Sequence, residues 1–158
     1  MTQSTEIDGT LVAAERKIVV DGNHFLQVGA LVYRLQKKSV EFLVITSRGT
    51  GRWIIPKGWP MPGRTLSQAA LQEAYEEAGV RGIAETASIG SYQYTKTDMP
   101  GGENGDFTVD VFAVLYSHQE KKWPERGQRI FEWVSPEEAA HRVGEPQLKK
   151  LLLDYRPH

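Results

Sequence analysis

The chain has 158 residues, 40% of them hydrophobic and 25% charged, with a formal net charge of −1 and no cysteine. That fits one ordinary globular domain, large enough to bury a core without staples. So balanced a charge gives no long-range attraction to a nucleic-acid duplex or an anionic membrane, and the absent thiols exclude disulfides, cysteine nucleophiles and cysteine-ligated zinc.

Residues 1–14 are polar and lack a basic segment followed by an apolar run, so they do not read as a signal peptide. No stretch approaches the roughly 18 apolar residues of a membrane-spanning helix, and the expected location is the cytoplasm. Residues 1–23 read as a polar, partly ordered lead, and 24–158 as one domain. The apolar, β-branched run 25–33 predicts a buried strand. A turn at 37–39 leads to a second strand over 40–46, which makes a hairpin. The segment 48–52 is a Gly-rich loop, 53–55 a short strand stopped by Pro56, and 58–63 an irregular loop with two prolines and two glycines.

The clearest helix follows. Thr65 is a good N-cap, Gln68 completes a capping box, and Gly79 supplies the stop. Leu66, Ala69, Ala70 and Ala74 recur at helical spacing between them. Beyond it, 83–94 reads as a strand with Ile89, Tyr92 and Tyr94 inward, 97–106 as a long turn-rich loop, 107–116 as an apolar strand and 129–134 as another. Ser135 and Pro136 start a helix over 137–143, and a last amphipathic helix covers 147–154 with Leu148, Leu151 and Leu152 on one face. There is no internal repeat, low-complexity tract or linker, so the expected class is α+β in one domain.

The unusual feature is Glu73, Glu76 and Glu77. At i, i+3 and i+4 they share one helix face and overlap the edge of the stripe that carries Leu66, Ala69 and Ala70. A solvated helix face would carry the same residues. Like charges at this spacing repel by about 0.2–0.5 kcal/mol per exposed pair, more when partly buried, so a positive partner is expected. Carboxylate oxygens without cysteine or a nearby histidine suit Mg²⁺ or Mn²⁺. His24, His118 and His141 lack ligand-like spacing and read as ordinary surface or loop residues.

Residues 56–80, PKGWPMPGRTLSQAALQEAYEEAGV, resemble the Nudix box, G-x5-E-x7-R-E-U-x-E-E-x-G-U, where U is a bulky aliphatic residue. Gly58, Glu73, Glu76, Glu77, Gly79 and Val80 fall at its positions, and the flanks RWIIPKG and EWVSPEEA also resemble the family, over roughly 25–155. Three positions depart from the pattern: Arg64 stands at the first glutamate, Gln72 at the arginine, and Ala74 at the aliphatic residue after Glu73. The resemblance implies the Nudix fold, a mixed β-sheet sandwiched between α-helices. It also implies metal-assisted hydrolysis of a diphosphate linkage. Glu73, Glu76 and Glu77 would be the catalytic metal ligands, with a carbonyl of Lys57 or Gly58 alongside. The general base would be one of these glutamates or an acid outside the box, Glu103, Asp106 or Glu132.

The stretches ITSRGTGRWIIPKG and EWVSPEEA look most like the branch that hydrolyses diphosphoinositol and diadenosine polyphosphates. Such substrates need several cations, for which Arg48, Arg52, Lys57, Arg64, Lys96 and Arg129 are candidates; Trp59 is a candidate to stack on a base. The expected partner is therefore a small phosphorylated substrate, with the protein a monomer or homodimer. Two other readings remain open: a Nudix-fold binding or sensor module, to which Arg64 and Gln72 point, and a nucleoside triphosphate sanitising pyrophosphohydrolase.

Overall fold

The protein is seen here in a computed structural model that describes residues 22–97 and 104–158 in full; of 1–21 and 98–103 only the backbone of strand segments is described. Strands β1 (Ser4–Ile7) and β2 (Thr10–Ala13) pair with each other, and β3 (Ile18–Asp21) pairs with the start of β4. The partly ordered lead expected over 1–23 thus falls almost wholly outside the described side chains. Among the described residues no helix is long and apolar enough to cross a membrane.

The main sheet runs in the order β11-β5-β4-β10-β8. Its centre is β4 (His24–Gln36), parallel to β10 (Glu103–Gln119) over ten residue pairs from His24↔Asp106 to Tyr33↔Leu115. Strand β4 turns at Lys37 into the antiparallel β5 (Ser39–Thr46), which pairs on its other side with β11 (Phe131–Val134). Two short strands, β6 (Trp53–Ile54) and β7 (Lys57–Gly58), add to β5 and β4. The start of the expected irregular loop is therefore a strand, since the backbone of Lys57 and Gly58 pairs with Gly29 and Val28.

Alternation along the central strands sorts the core into two layers. Val28, Ala30, Val32, Leu43, Ile45, Phe112 and Val114 face helix α1 (Leu66–Ala78). Leu31, Tyr33, Phe42, Val44, Val109 and Val111 face the opposite way, toward α2 (Pro136–Arg142) and α3 (Pro146–Asp154) through Ala139, Ala140, Leu148 and Leu152. Both faces are covered, which is why these strands read as continuous apolar runs rather than alternating ones. The α+β sandwich expected from the sequence is the observed architecture.

Two expectations need correction. The strand read over 83–94 is two, β8 (Val80–Ala84) and β9 (Gly90–Met99), both antiparallel to β10. Six steps of chain from Ala84 to Gly90 oppose three steps of β10 from Val114 to Val111, so residues 85–89 bulge out; Glu85 and Ile89 still donate to Ala113 and Val111. Tyr92 is buried and Ile89 and Tyr94 pack on the core, as expected. The loop read over 97–106 is mostly strand, because β9 continues to Met99 and β10 starts at Glu103. Polar, turn-forming residues here sit in a hairpin whose partner strand satisfies the backbone, and pairing overrides local propensity.

Candidate functional site

Helix α1 is fixed at both ends. The Thr65 hydroxyl accepts from the Gln68 N–H while the Gln68 side chain accepts from the Thr65 N–H. Gly79 closes the helix at φ 72°, and the Trp123 ring lies where a Cβ would be, 2.4 Å from that position. These caps set the helix's rotation and so which residues meet the sheet. Ala69, Ala70, Ala74 and Ala78 allow a close approach, and Glu73 and Glu77 go in with them, 7% and 5% exposed. Glu76 is half-buried at the rim. Strand β7 brings Gly58 under Glu73: a Cβ there would lie 1.8 Å from Glu73 Oε1, so glycine alone leaves room for the carboxylate.

The acids outnumber the cations beside them. Burial, and then the Glu73 carboxylate, push Glu77 up to about 8 against the pull of Arg129. Glu77 Oε1 is buried and makes no hydrogen bond, and Arg129 Nη2 stands 3.7 Å away. The same guanidinium binds Glu125 Oε1 at 2.9 Å and donates to the Thr46 carbonyl at 3.0 Å. Segment 119–129 carries Glu125 and Arg129 here by capping the end of α1: Gln119 Nε2, Glu120 N and Glu125 N donate to the carbonyls of Ala78, Gly79 and Glu76.

This donor set is chemically suited to a hard divalent cation, since it is all carboxylate and the buried Glu77 Oε1 makes no hydrogen bond. Among the described residues no three acidic or imidazole side chains close on one point.

The basic residues singled out in the sequence divide into groups. Arg129 lies in the site and is nearly buried, with 9% of its side chain exposed. Lys57 is half-buried on the strand that bears Gly58; its ammonium stands 3.4 Å from the Tyr94 hydroxyl, which donates to Gln27 Oε1 at 2.6 Å. Burial pushes the Lys57 ammonium below the usual lysine range, against the pull of Glu77 and Glu145, while Lys96 and Arg52 lower it further. Arg52 and Lys96 are exposed, and Arg52 Nη1 stands 3.6 Å from Glu145 Oε2. Arg48 is mostly exposed and meets Gln128 and Glu125, which puts it on the rim beside Arg129.

Arg64 is exposed and faces the helix. It donates to Gln72 Oε1 at 3.2 Å, and Gln72 Nε2 donates to Glu76 Oε2 at 2.9 Å. The two residues that replace the usual box pair are thus in contact, and through them Glu76 is held. Trp59 is half-buried rather than open, edge-on to Phe25 at 5.9 Å and tilted against Phe107 at 5.7 Å. Tyr94 stacks on Phe107 at 4.9 Å, so these four rings form one aromatic wall. Of the acids considered as base, Glu132 pairs with Arg142, Asp106 accepts from Thr95, and the Glu103 side chain lies outside the described residues.

Sequence reasoning missed Glu125 and Glu145. Glu125 carries a weak signal, four residues before Arg129 on a segment without regular structure. Glu145 directly precedes Pro146, where its N-cap position suggests a local role.

Comparison with known proteins gives a consistent result. The NUDIX domain profile matches residues 23–155. Nudix hydrolase 21, chloroplastic, of Arabidopsis thaliana is 35% identical over 116 residues, 71% of this chain and 56% of its own length. The chain thus spans little more than half of that relative. Diphosphoinositol polyphosphate phosphohydrolase 3-alpha of Mus musculus is 39% identical over 56 residues, 35% of this chain and 34% of its own. Among solved structures, a binary complex of the Caenorhabditis elegans Ap4A hydrolase superposes with a TM-score of 0.58 at 21% identity, covering 81% of this chain and 92% of that one.

Proposed function

The chain belongs to the Nudix family, and from that premise we propose that it is a Mg²⁺-dependent hydrolase of a phosphoanhydride linkage in a small, phosphate-rich molecule. The observation that carries this is the pair of buried carboxylates, Glu73 seated on Gly58 and Glu77 short of positive partners, on a helix capped at both ends. Burying acids so close together is costly unless a cation joins them.

Glu73 and Glu77, with Glu76 at the rim, would hold the metal, and a backbone carbonyl of Lys57 or Gly58 is at hand on the facing strand. When bound, Mg²⁺ neutralises phosphate oxygens and lowers the pKa of a coordinated water. The chain's own residues do the rest. Arg129 orients Glu77 and Glu125 while remaining too buried to follow a leaving group. Lys57, Arg52, Lys96 and Arg48 offer cations to the further phosphates, the arginines as two-pronged donors. The wall of Phe25, Trp59, Tyr94 and Phe107 offers an apolar surface beside Lys57, whose ammonium lies 4.8 Å from the Tyr94 ring centroid. Diphosphoinositol and dinucleoside polyphosphates are the substrates this reading favours, in line with the names of the mouse relative and the nematode structure.

One panel tests it. Purified protein is given diphosphoinositol polyphosphate, diadenosine polyphosphate or a modified nucleoside triphosphate, with Mg²⁺ or with a chelator. Product should form from one of the first two only with Mg²⁺. Binding without turnover establishes a sensor module instead, and preference for the modified triphosphate a sanitising enzyme.

A further inference from the structure

Tyr94 is more than one ring of the aromatic wall, because its hydroxyl is engaged on two sides. It donates to Gln27 Oε1 at 2.6 Å and meets the Lys57 ammonium at 3.4 Å. With its proton given to Gln27, the phenol oxygen keeps its lone pairs for the ammonium, which has donors only. Gln27 is 7% exposed and lies on the central strand β4, so this end of the tether is fixed by the sheet. A buried side-chain amide costs free energy unless it is bonded, and Tyr94 satisfies its carbonyl.

The Tyr94 ring is engaged as well. Phe107 stacks on it at 4.9 Å with the planes 8° apart, which sets its tilt. The Lys57 ammonium lies over the ring, 4.8 Å from the centroid, where the electron-rich face attracts a cation. One side chain therefore holds the ammonium by both its hydroxyl and its face. A free lysine stem samples many rotamers, and ordering it is part of the cost of binding. Here the stem is half-buried and the ammonium is in place before a ligand arrives, so that cost is met in advance. Tyr94 takes one of the three ammonium donors and leaves the others for phosphate oxygens. The lysine also stands beside the acids in the chain, since Lys57 and Gly58 make up β7 and Gly58 is the seat of the Glu73 carboxylate.

We propose that Tyr94, tethered by Gln27, is the positioning residue for Lys57. It fixes the ammonium where the substrate's phosphates meet it and touches no substrate atom itself. The role rests on the reading above, in which Lys57 offers a cation to those phosphates.

The test is a double-mutant cycle on Tyr94→Phe and Lys57→Met, read in two ways. Kinetics on diadenosine polyphosphate and diphosphoinositol polyphosphate with Mg²⁺ give KM and kcat. Calorimetric titration with methylene-bridged analogues of both compounds gives Kd without turnover. Tyr94→Phe keeps the ring and its stacking and removes the hydroxyl alone. It should raise KM and Kd about three- to tenfold while kcat stays within about twofold of wild type. In the Lys57→Met background the same change should move neither, because no ammonium is left to place. Equal losses in both backgrounds mean that Tyr94 serves the fold alone, and they overturn the proposal. Wild-type KM and Kd in Tyr94→Phe, or in Lys57→Met, overturn it too. Thermal midpoints, which the unpaired Gln27 lowers in Tyr94→Phe, establish that each variant is folded at the assay temperature. If neither compound is cleaved, the hydrolase reading fails. The positioning role then stands if the titrations alone show the coupling, and falls if they do not or if no analogue binds. Should Tyr94→Phe not fold, Gln27→Asn, which draws the amide back by one methylene, takes its place in the cycle with the same outcomes.

Discussion

At the scale of single residues, Glu77 carries most of the site's electrostatic tension. Its pKa in the folded protein, about 8, lies above the 4.5 of an ordinary glutamate. Between those values the native state keeps a proton that the unfolded chain has released. Its contribution to stability is therefore full below about pH 4.5 and lost as the pH rises through about 8. In chelator, the thermal midpoint of wild type should fall across this window relative to Glu77→Gln, which cannot ionise. Mg²⁺ should raise the wild-type midpoint most at the alkaline end and do little for the variant. Parallel curves for the two proteins would show that Glu77 is not the strained group. Gly58 supplies the complementary lesson, because the box glycine is there to leave space for the Glu73 carboxylate.

The element that matters most is α1 with what touches it. Its caps, its alanine face and segment 119–129 together hold three glutamates at fixed depths. Along its outer side runs the chain Arg64, Gln72, Glu76. Arg64 and Gln72 stand where the family has an acid and an arginine, and because they touch, the exchange is coupled. Gln72→Arg alone sets two guanidiniums against each other and should reduce kcat/KM by about tenfold. Adding Arg64→Glu rebuilds an ion pair and should recover most of that loss. A double-mutant cycle should give a coupling of about 0.5–3 kcal/mol, and strictly additive effects would show that the two positions act separately.

The whole molecule is a sheet covered on both sides, with the two coverings doing different work. The layer with α1 presents the carboxylates, while the layer with α2 and α3 closes the core and delivers Glu145. Leu152 is fully buried in the second layer. Leu152→Ala should cost about 2–5 kcal/mol in urea unfolding with Mg²⁺-dependent turnover retained below the transition. Loss of turnover in a still-folded variant would mean that α3 packing sets the cleft's shape as well as its stability.

How much of this was legible beforehand follows from the range of the forces involved. Helix α1, its capping box and the shared face of Glu73, Glu76 and Glu77 depend on residues within a few positions of one another, and the sequence by itself determined them. The apolar runs of β4, β5 and β10 likewise announced strands, and the structure buries them on both faces. The break at 85–89 was decided by pairing with a stretch of β10 about twenty to thirty residues away, and the extension of β9 and β10 into the expected 97–106 loop by the pairing of those two strands with each other. So were the seat of Glu73 on Gly58, the reach of Arg129 across to Glu77, and the burial of Glu145 beside Arg52. These contacts join groups far apart in the chain, and only the packing of the two layers on the sheet brings them within a few ångströms of each other.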